Sequence, residues 1–116
     1  MRPSAPYFAV IFTSLRSEVE DDYISTNDLL MEKAKTYAGF LHQDAVRDGL
    51  GIAISYWKDL DSIHQWSKDV DHILAKQRGS KEWYTSYSVR IARVEREYGN
   101  PNELWSPLKH TDSEPR

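Results

Sequence analysis

Apolar and polar positions along the chain fall into extended and helical periods whose order predicts a fold before any residue is given a chemical role. After a short proline-containing leader, YFAVIFTSLR (Tyr7 to Arg16) is apolar at nearly every position until its end, as in a strand buried on much of both faces. DDYISTNDLLMEKAKTYA (Asp21 to Ala38) opens with acids, closes with Lys33 and Lys35 and is followed by Gly39, the charge order and terminal glycine of a helix. At about 100° per residue, Tyr23, Leu30, Ala34, Tyr37 and Ala38 share one side of it. Two extended runs then flank Asp48-Gly49, a dipeptide suited to the positive φ angles of a hairpin, which predicts strands at Phe40 to Arg47 and Gly51 to Trp57. The turn accounts for Gly49 and Gly51 together, and no GxGxxG or Walker pattern surrounds them.

A second helix begins near residue 60, with Asp59 or Ser62 as its N-cap; Ser62-Ile-His-Gln65 has the form of a capping box. Its apolar arc contains Trp66, Val70, Ile63, Ile73 and Leu74, with Ser67 at the edge. SKEWYTSYSVRIARVEREY starts with helix-compatible residues and becomes a strand around Tyr87 to Tyr98. Val89 and Ile91 have one phase there, Ala92 and Val94 the other, so the pattern predicts either two buried faces or a bulge between Arg90 and Ala92. From Gly99 the chain is polar and proline-containing, an irregular tail over 99–116 with Trp105 and Leu108 as its anchors. The order strand, helix, strand, strand, helix, strand over residues 1–98 is that of a ferredoxin-like α+β domain, an antiparallel sheet with helices on one face. Tyr7, Ala9 and Ile11 alternate with Phe8, Val10 and Phe12, so both faces of the first strand are apolar. Helices cover one face; a face-to-face homodimer is the expected cover for the other.

Composition narrows the chemistry. The 116 residues suffice for one domain and leave no room for a second catalytic one. Fifteen basic and eighteen acidic residues give a net charge of -3 without a basic stripe, which argues against nucleic acid as a partner. No apolar run approaches the roughly 20 residues that cross a bilayer, and MRPSAPYFAVIF lacks the form of a secretion signal, so the cytosol is the expected compartment. The absence of cysteine removes disulfides, thiol nucleophiles, iron-sulfur ligation and Cys-type zinc sites. Chemistry must therefore come from His, Asp, Glu, Tyr, Arg, Ser or a bound cofactor.

The run GIAISYWKDLDSIHQWSKDVDHILAKQRGSKEWYTSYSVRIARVEREY, with the GFLHQDAVRDG hairpin before it, resembles the antibiotic biosynthesis monooxygenase superfamily of dimeric α/β barrels. More narrowly it resembles the small bacterial proteins of that superfamily described loosely as linked to polysaccharide biosynthesis. The resemblance spans Tyr7 to Tyr98, and its most specific part is SYW, then W and H, then G-x-x-x-WY-x-x-Y. Two chemistries are implied. Some members oxidise polycyclic phenols or anthrones with dioxygen and neither metal nor flavin, a substrate anion giving an electron to oxygen in a desolvated pocket. Others bind and degrade heme with an asparagine on the first strand, a tryptophan on the second helix and a histidine further along it. Trp66 matches the tryptophan, but Tyr7 to Arg16 contains no asparagine and Lys76 stands about three turns beyond Trp66, where the heme ligand is expected.

Each candidate residue also has an architectural reading. Trp66 belongs to the apolar arc, as core or as pocket wall, and in either case its indole N–H needs a partner. His72 lies about 180° from Ile63 on a straight helix and turns inward only if the helix breaks near Asp69 to Asp71. Turned inward, it is the expected general base, oriented by Asp69 or Asp71. His64 is expected at the surface, and the burial of His42 depends on strand register. No HExxH, carboxylate triad or Ser-His-Asp spacing is present, so neither a metal site nor serine hydrolysis is expected. Tyr56 and Trp57 point to opposite faces of their strand, one into the helix-sheet cleft. Trp83, Tyr84 and Tyr87 form a second aromatic group able to close that cleft, while Arg90, Arg93 and Arg96 scatter over both faces of theirs.

The expected function is oxygenation of a small aromatic or phenolic molecule without a tightly bound cofactor. His72 removes a proton, Trp66 with Tyr56 and Trp83 holds the ring, Trp57, Tyr84 and Tyr87 line the same cleft, and a tyrosine hydroxyl or Arg90 stabilises the oxyanion. The alternative is a noncatalytic dimeric module that binds a small apolar ligand or a protein partner, its aromatics being mostly core. Open volume lined by Trp66 and an inward His72 favours the enzyme; a filled helix-sheet interior favours the module.

Overall fold

The computed structural model describes residues 4–20, 22–77 and 80–99. The first apolar run forms β1 (Tyr7–Arg16), followed by α1 (Tyr23–Lys35), β2 (Phe40–Asp48), β3 (Leu50–Trp57), α2 (Leu60–Ala75), a 3-10 turn at Ser80–Glu82 and β4 (Tyr84–Val94). The four strands make one antiparallel sheet in the order β2-β3-β1-β4. This is the expected ferredoxin-like arrangement, with both helices on one face. β1 is central, which explains why its two faces are apolar: Tyr7, Ala9 and Val10 are all buried.

Register sorts the side chains. Facing the helices, successive rows from β2 to β4 are Phe40, Trp57, Phe8 and Arg93; then Gln43, Ser55, Val10 and Ile91; then Ala45, Ala53, Phe12 and Val89; then Arg47, Gly51, Ser14 and Tyr87. The core forms where the bulky first row meets the helices, as Val10, Ala34, Trp57 and Ile63 with Phe8, Tyr37, Phe40 and Trp66 packed against them.

Several local expectations change. α1 occupies only the inner part of the predicted span, entered through Asp22 in the left-handed region (φ 56) and capped at its C-terminus by Thr36. Gly39 is therefore not a left-handed cap. A Cβ there would lie 2.1 Å from Ser62 Oγ and 2.6 Å from Ser62 Cβ, so its bare backbone lets β2 start directly against α2. Of the two candidate N-caps of α2, Asp59 acts: its Oδ1 accepts the Ser62 N–H at 2.8 Å, a bond that holds the carboxyl pKa below its ordinary value. Gly49 takes the positive φ expected of the turn, at 81°. Gly51 has a different role, because a Cβ there would sit 2.2 Å from Arg47 Cζ.

β4 begins three residues before the predicted Tyr87 and ends at Val94 rather than Tyr98. Its pairing with β1 runs without interruption through Arg90 to Ala92, and the irregularity falls instead at Leu15/Arg16, opposite Ser86 and Tyr84. Neither predicted explanation for its two apolar phases holds: β4 is an edge strand, with Val89 54% and Ile91 55% exposed. The tail from residue 100, including Trp105 and Leu108, lies outside the described residues. Among those described, no helix is long and apolar enough to cross a membrane.

The Gly39 contact generates a stability prediction. Gly39→Ala is expected to lower unfolding free energy by about 1–3 kcal/mol through overpacking against Ser62, read as a lower urea midpoint at unchanged slope.

Candidate functional site

The helix-facing rows differ in bulk from one end of the sheet to the other. At the first row Trp57 is completely buried; its ring lies 5.4 Å from Phe40, 6.1 Å from Tyr37 and 5.1 Å from Trp66. Trp57 Nε1 donates to Ser55 Oγ at 2.8 Å, which satisfies its indole. Trp66 Nε1 is buried as well and has no hydrogen-bond partner among the described residues. An unmet buried donor costs about 1–3 kcal/mol, so this N–H is an unfilled position for an acceptor.

Beyond that row the β3 floor is made of small residues, Ser55, Ala53 and Gly51, with Ala45 beside Ala53 on β2. α2 starts next to Trp57 and packs back along β3. Ile63 is its one buried side chain, while Trp66, Val70, Ile73 and Leu74, the rest of the apolar arc, are only half-buried. The half-buried apolar arc of α2 thus stands over a floor of small side chains that runs from Trp57 toward Arg47.

Aromatic and basic groups surround the Arg47 end. Phe12 lies 5.2 Å from Tyr84 and 5.8 Å from Tyr87, and Tyr23 lies 5.3 Å from Trp83 and 5.8 Å from Tyr84. The Tyr84 hydroxyl donates to that of Tyr23 at 3.4 Å. Burial raises the Tyr84 pKa, as does its bond to Tyr23, while the charges of Arg16 and Arg47 pull the other way, so the phenol stays protonated at neutral pH. Arg47 reaches Ser14 from β2, Nη2 to Oγ at 2.6 Å and Nη1 to the carbonyl at 3.4 Å. Trp83 is buried and serves as a joint: its carbonyl accepts from Ser17 N at 2.8 Å and from Arg16 Nε at 3.0 Å, which ties the end of β1 to the start of β4.

The opposite face carries a separate polar group. His42 stacks on Tyr56 with 5.9 Å between centroids and 18° between planes. Asp44 joins them, Oδ1 lying 2.9 Å from His42 Nε2 and Oδ2 accepting from the Tyr56 hydroxyl at 3.3 Å. Tyr7 packs edge-on to Tyr56 at 5.9 Å and donates to Glu97 Oε1 at 2.8 Å. Burial first, then the charge and hydrogen bond of Asp44, push the Tyr56 pKa up to about 12.

The structure therefore divides the predicted site. Trp57, Trp66, Trp83, Tyr84 and Tyr87 all lie on the helix side but in two groups, Trp57 with Trp66 at the Phe8 end of β1 and Trp83, Tyr84 and the exposed Tyr87 at its Arg16 end, with Trp57 and Trp83 buried as core. Tyr56 and Arg90 do not join them: both are on the other face, where Arg90 pairs with Ile11 and donates to Ser88 Oγ at 3.0 Å. The condition for an inward His72 is not met, because α2 is continuous from Leu60 to Ala75 and leaves His72 exposed in its last turn. Asp69, its intended orienting group, instead accepts the Tyr37 hydroxyl and lies 4.0 Å from Lys33 Nζ. His64 is exposed as expected, and His42 is buried on the face away from the cleft. Heme ligation does not fit this distribution: no imidazole faces the cleft among the described residues, and Lys76 is exposed. No group of three metal-ligating side chains occurs among them either. The sequence reading missed Phe12, Ser14, Tyr23 and Arg47. Their one available signal was Gly51, a glycine inside a strand, which marks a close approach as readily as a turn.

Comparison with known proteins places this geometry. The uncharacterized protein YqjZ of Bacillus subtilis (strain 168) is 42% identical over 97 residues, covering 82% of this chain and 85% of that one. A jasmonate monooxygenase, ABM, of Pyricularia oryzae (strain 70-15 / ATCC MYA-4617 / FGSC 8958) is 26% identical over 92 residues, 75% of this chain but only 43% of that protein. Among solved structures, a variant of SnoaB, a cofactor-independent oxygenase from Streptomyces nogalater, matches 81% of this chain and 97% of its own at a TM-score of 0.65 and 11% identity. A dimeric ferredoxin-like protein from an uncultured marine organism matches 83% and 94% at a TM-score of 0.63 and 8% identity. At such identities the structural matches show the fold. No protein-family model matches the chain. The polysaccharide description finds no support among these relatives.

Tyr56 yields a pH prediction. A phenol whose folded pKa exceeds its unfolded value binds its proton more tightly when folded, so its contribution is complete below about pH 10 and is lost as pH rises to about 12. Tyr56→Phe should flatten the decline of the urea midpoint between those values and remove one step near pH 12 from the tyrosinate absorbance titration.

Proposed function

Because the chain belongs to the family of Bacillus subtilis YqjZ and has the ferredoxin-like fold of the antibiotic biosynthesis monooxygenases, we propose that it is an oxygenase for a small aromatic or phenolic molecule held in the helix-sheet cleft. The observation that carries this reading is the buried N–H of Trp66, without a partner among the described residues, at one end of the helix-facing surface whose other end carries Phe12, Tyr84 and Tyr87. A substrate oxygen accepts from Trp66 Nε1, and its ring lies over Ala53 and Ala45, where the sheet has no bulk. The relatives named as oxygenase and monooxygenase support the reaction class. In an anthrone-type substrate a CH2 becomes a carbonyl while the other oxygen atom leaves as water, so the substrate supplies every electron and no tightly bound cofactor is required. Water exclusion by Trp57, Trp66 and the α2 arc favours electron transfer from the substrate anion. His72 takes no part; it lies on the solvent side of α2, and the proton leaves toward the open end of the cleft.

A ligand-binding module without turnover is the second reading, favoured by the filled packing around Trp57 and by the lack of a cleft-facing imidazole among the described residues. In either case we propose a homodimer formed through the face away from the helices. That face leaves Leu15, Val46 and Leu50 44%, 61% and 47% exposed, and a fold relative is named as dimeric. The cytosol is the compartment we assign.

Two measurements test these statements. Oxygen uptake with a panel of anthrones and naphthols is expected for the wild type, at least tenfold reduced in Trp66→Phe, which retains the ring but loses the N–H, and within about twofold of wild type in His72→Ala. Uptake indistinguishable from buffer, with ligand binding retained, identifies the noncatalytic module. Ile52→Asp, which places a charge between Thr13 and Val46 on the outer face, should shift the sedimenting species from dimer to monomer.

A further inference from the structure

Arg47 is a cation that the fold accommodates closely and that has no ion-pair partner among the described residues. It stands on the last helix-facing row, beside Gly51 of β3 and, beyond it, Ser14 of β1. Its guanidinium occupies the volume that a side chain at position 51 would take, and Ser14, itself only 2% exposed, holds it through the two hydrogen bonds described above. A guanidinium carries five N–H donors, so donors remain for a further acceptor. The ion pairs among the described residues engage Arg16, Lys33, Lys35, His42 and Arg93 but not Arg47. Arg16, the other cation near the cleft, is committed elsewhere: Nε to the Trp83 carbonyl, Nη2 to the Val19 carbonyl at 2.6 Å, and its charge over the Tyr23 ring at 3.4 Å.

A half-buried, positioned guanidinium next to an aromatic wall is an anion subsite with an apolar neighbour. We propose that the cleft takes a small apolar or aromatic carboxylate, with the carboxylate on Arg47 and the apolar body against Phe12, Tyr84 and Tyr87. This rests on the cleft reading above and narrows its substrate class. A carboxylate fits better than a simple phenol for two reasons: it is already ionised at neutral pH, and its two oxygens match the planar donor fork of arginine. Gly51 acts in this arrangement as a positioning residue, since its missing side chain is what allows the guanidinium to reach across β3 to Ser14.

Calorimetric titration of the full chain at pH 7 with 2-naphthoate and with 2-naphthamide tests the proposal. The wild type should bind 2-naphthoate at least about tenfold more tightly than the amide, and added salt should reduce that preference. Arg47→Gln should abolish the preference by weakening 2-naphthoate at least about tenfold, and Gly51→Ala, which displaces the guanidinium, should reproduce the loss. Equal wild-type affinity for the two probes, which requires no variant to fold, overturns the carboxylate assignment and leaves the cleft reading standing. So does a preference retained in folded Arg47→Gln. Failure of both probes to bind the wild type overturns the assignment together with the cleft reading.

Discussion

The arrangement depends on one constraint: β1 is hydrogen-bonded on both edges and apolar on both faces, so two different surfaces must cover it. On one face α1 and α2 supply the cover, but unevenly. Through Ala34 and Ile63 they close over Trp57 and Val10, and further along they face a floor of alanine, serine and glycine. On the other face His42, Asp44, Tyr56 and Tyr7 place a half-buried polar group beside Ile11, Ile52 and Ile54, a mixture that can be covered only by a surface answering both demands. The same strand thus underlies both the proposed ligand site and the proposed association surface, and a change in its register would exchange the two.

Much of this was legible in the chain. Hydrophobic period located both helices and the strands, the Asp48-Gly49 turn fixed the hairpin, and the two apolar phases of Tyr7 to Phe12 announced a strand at the centre of a sheet. Those signals are local and repeat over many residues, so single errors do not spoil them. What failed was read from single positions. Gly39 and Gly51 were assigned to a cap and a turn because those are the commonest uses of glycine, yet both are explained by non-local contacts, one to Ser62 and one to Arg47. The two phases of β4 were given buried explanations because its place at the sheet edge is a property of topology.

The site was legible only in part, for a related reason. Its aromatic members announce themselves by size, and Trp66, Tyr84 and Tyr87 do lie on the cleft side. Facing direction, by contrast, is set by strand register and helix continuity, which separates Tyr56 from Trp57 and turns His72 to solvent. A histidine between acids attracts attention in a sequence, but a helix with a sound cap and an unbroken hydrogen-bond ladder has no reason to rotate it inward. Arg47 is the reverse case, an unremarkable residue at the end of a strand that becomes chemically interesting only when its neighbour across the sheet is seen to be a glycine.

That neighbour relation carries an evolutionary consequence. Arg47 and Gly51 face each other across a single tight turn, so they form one inherited unit and not two independent positions. Divergence that places any side chain at 51 evicts the guanidinium, and a long basic residue at 47 is useful only while 51 stays bare. Within the lineage the pair should covary, and chains that have lost the glycine should have lost the arginine with it.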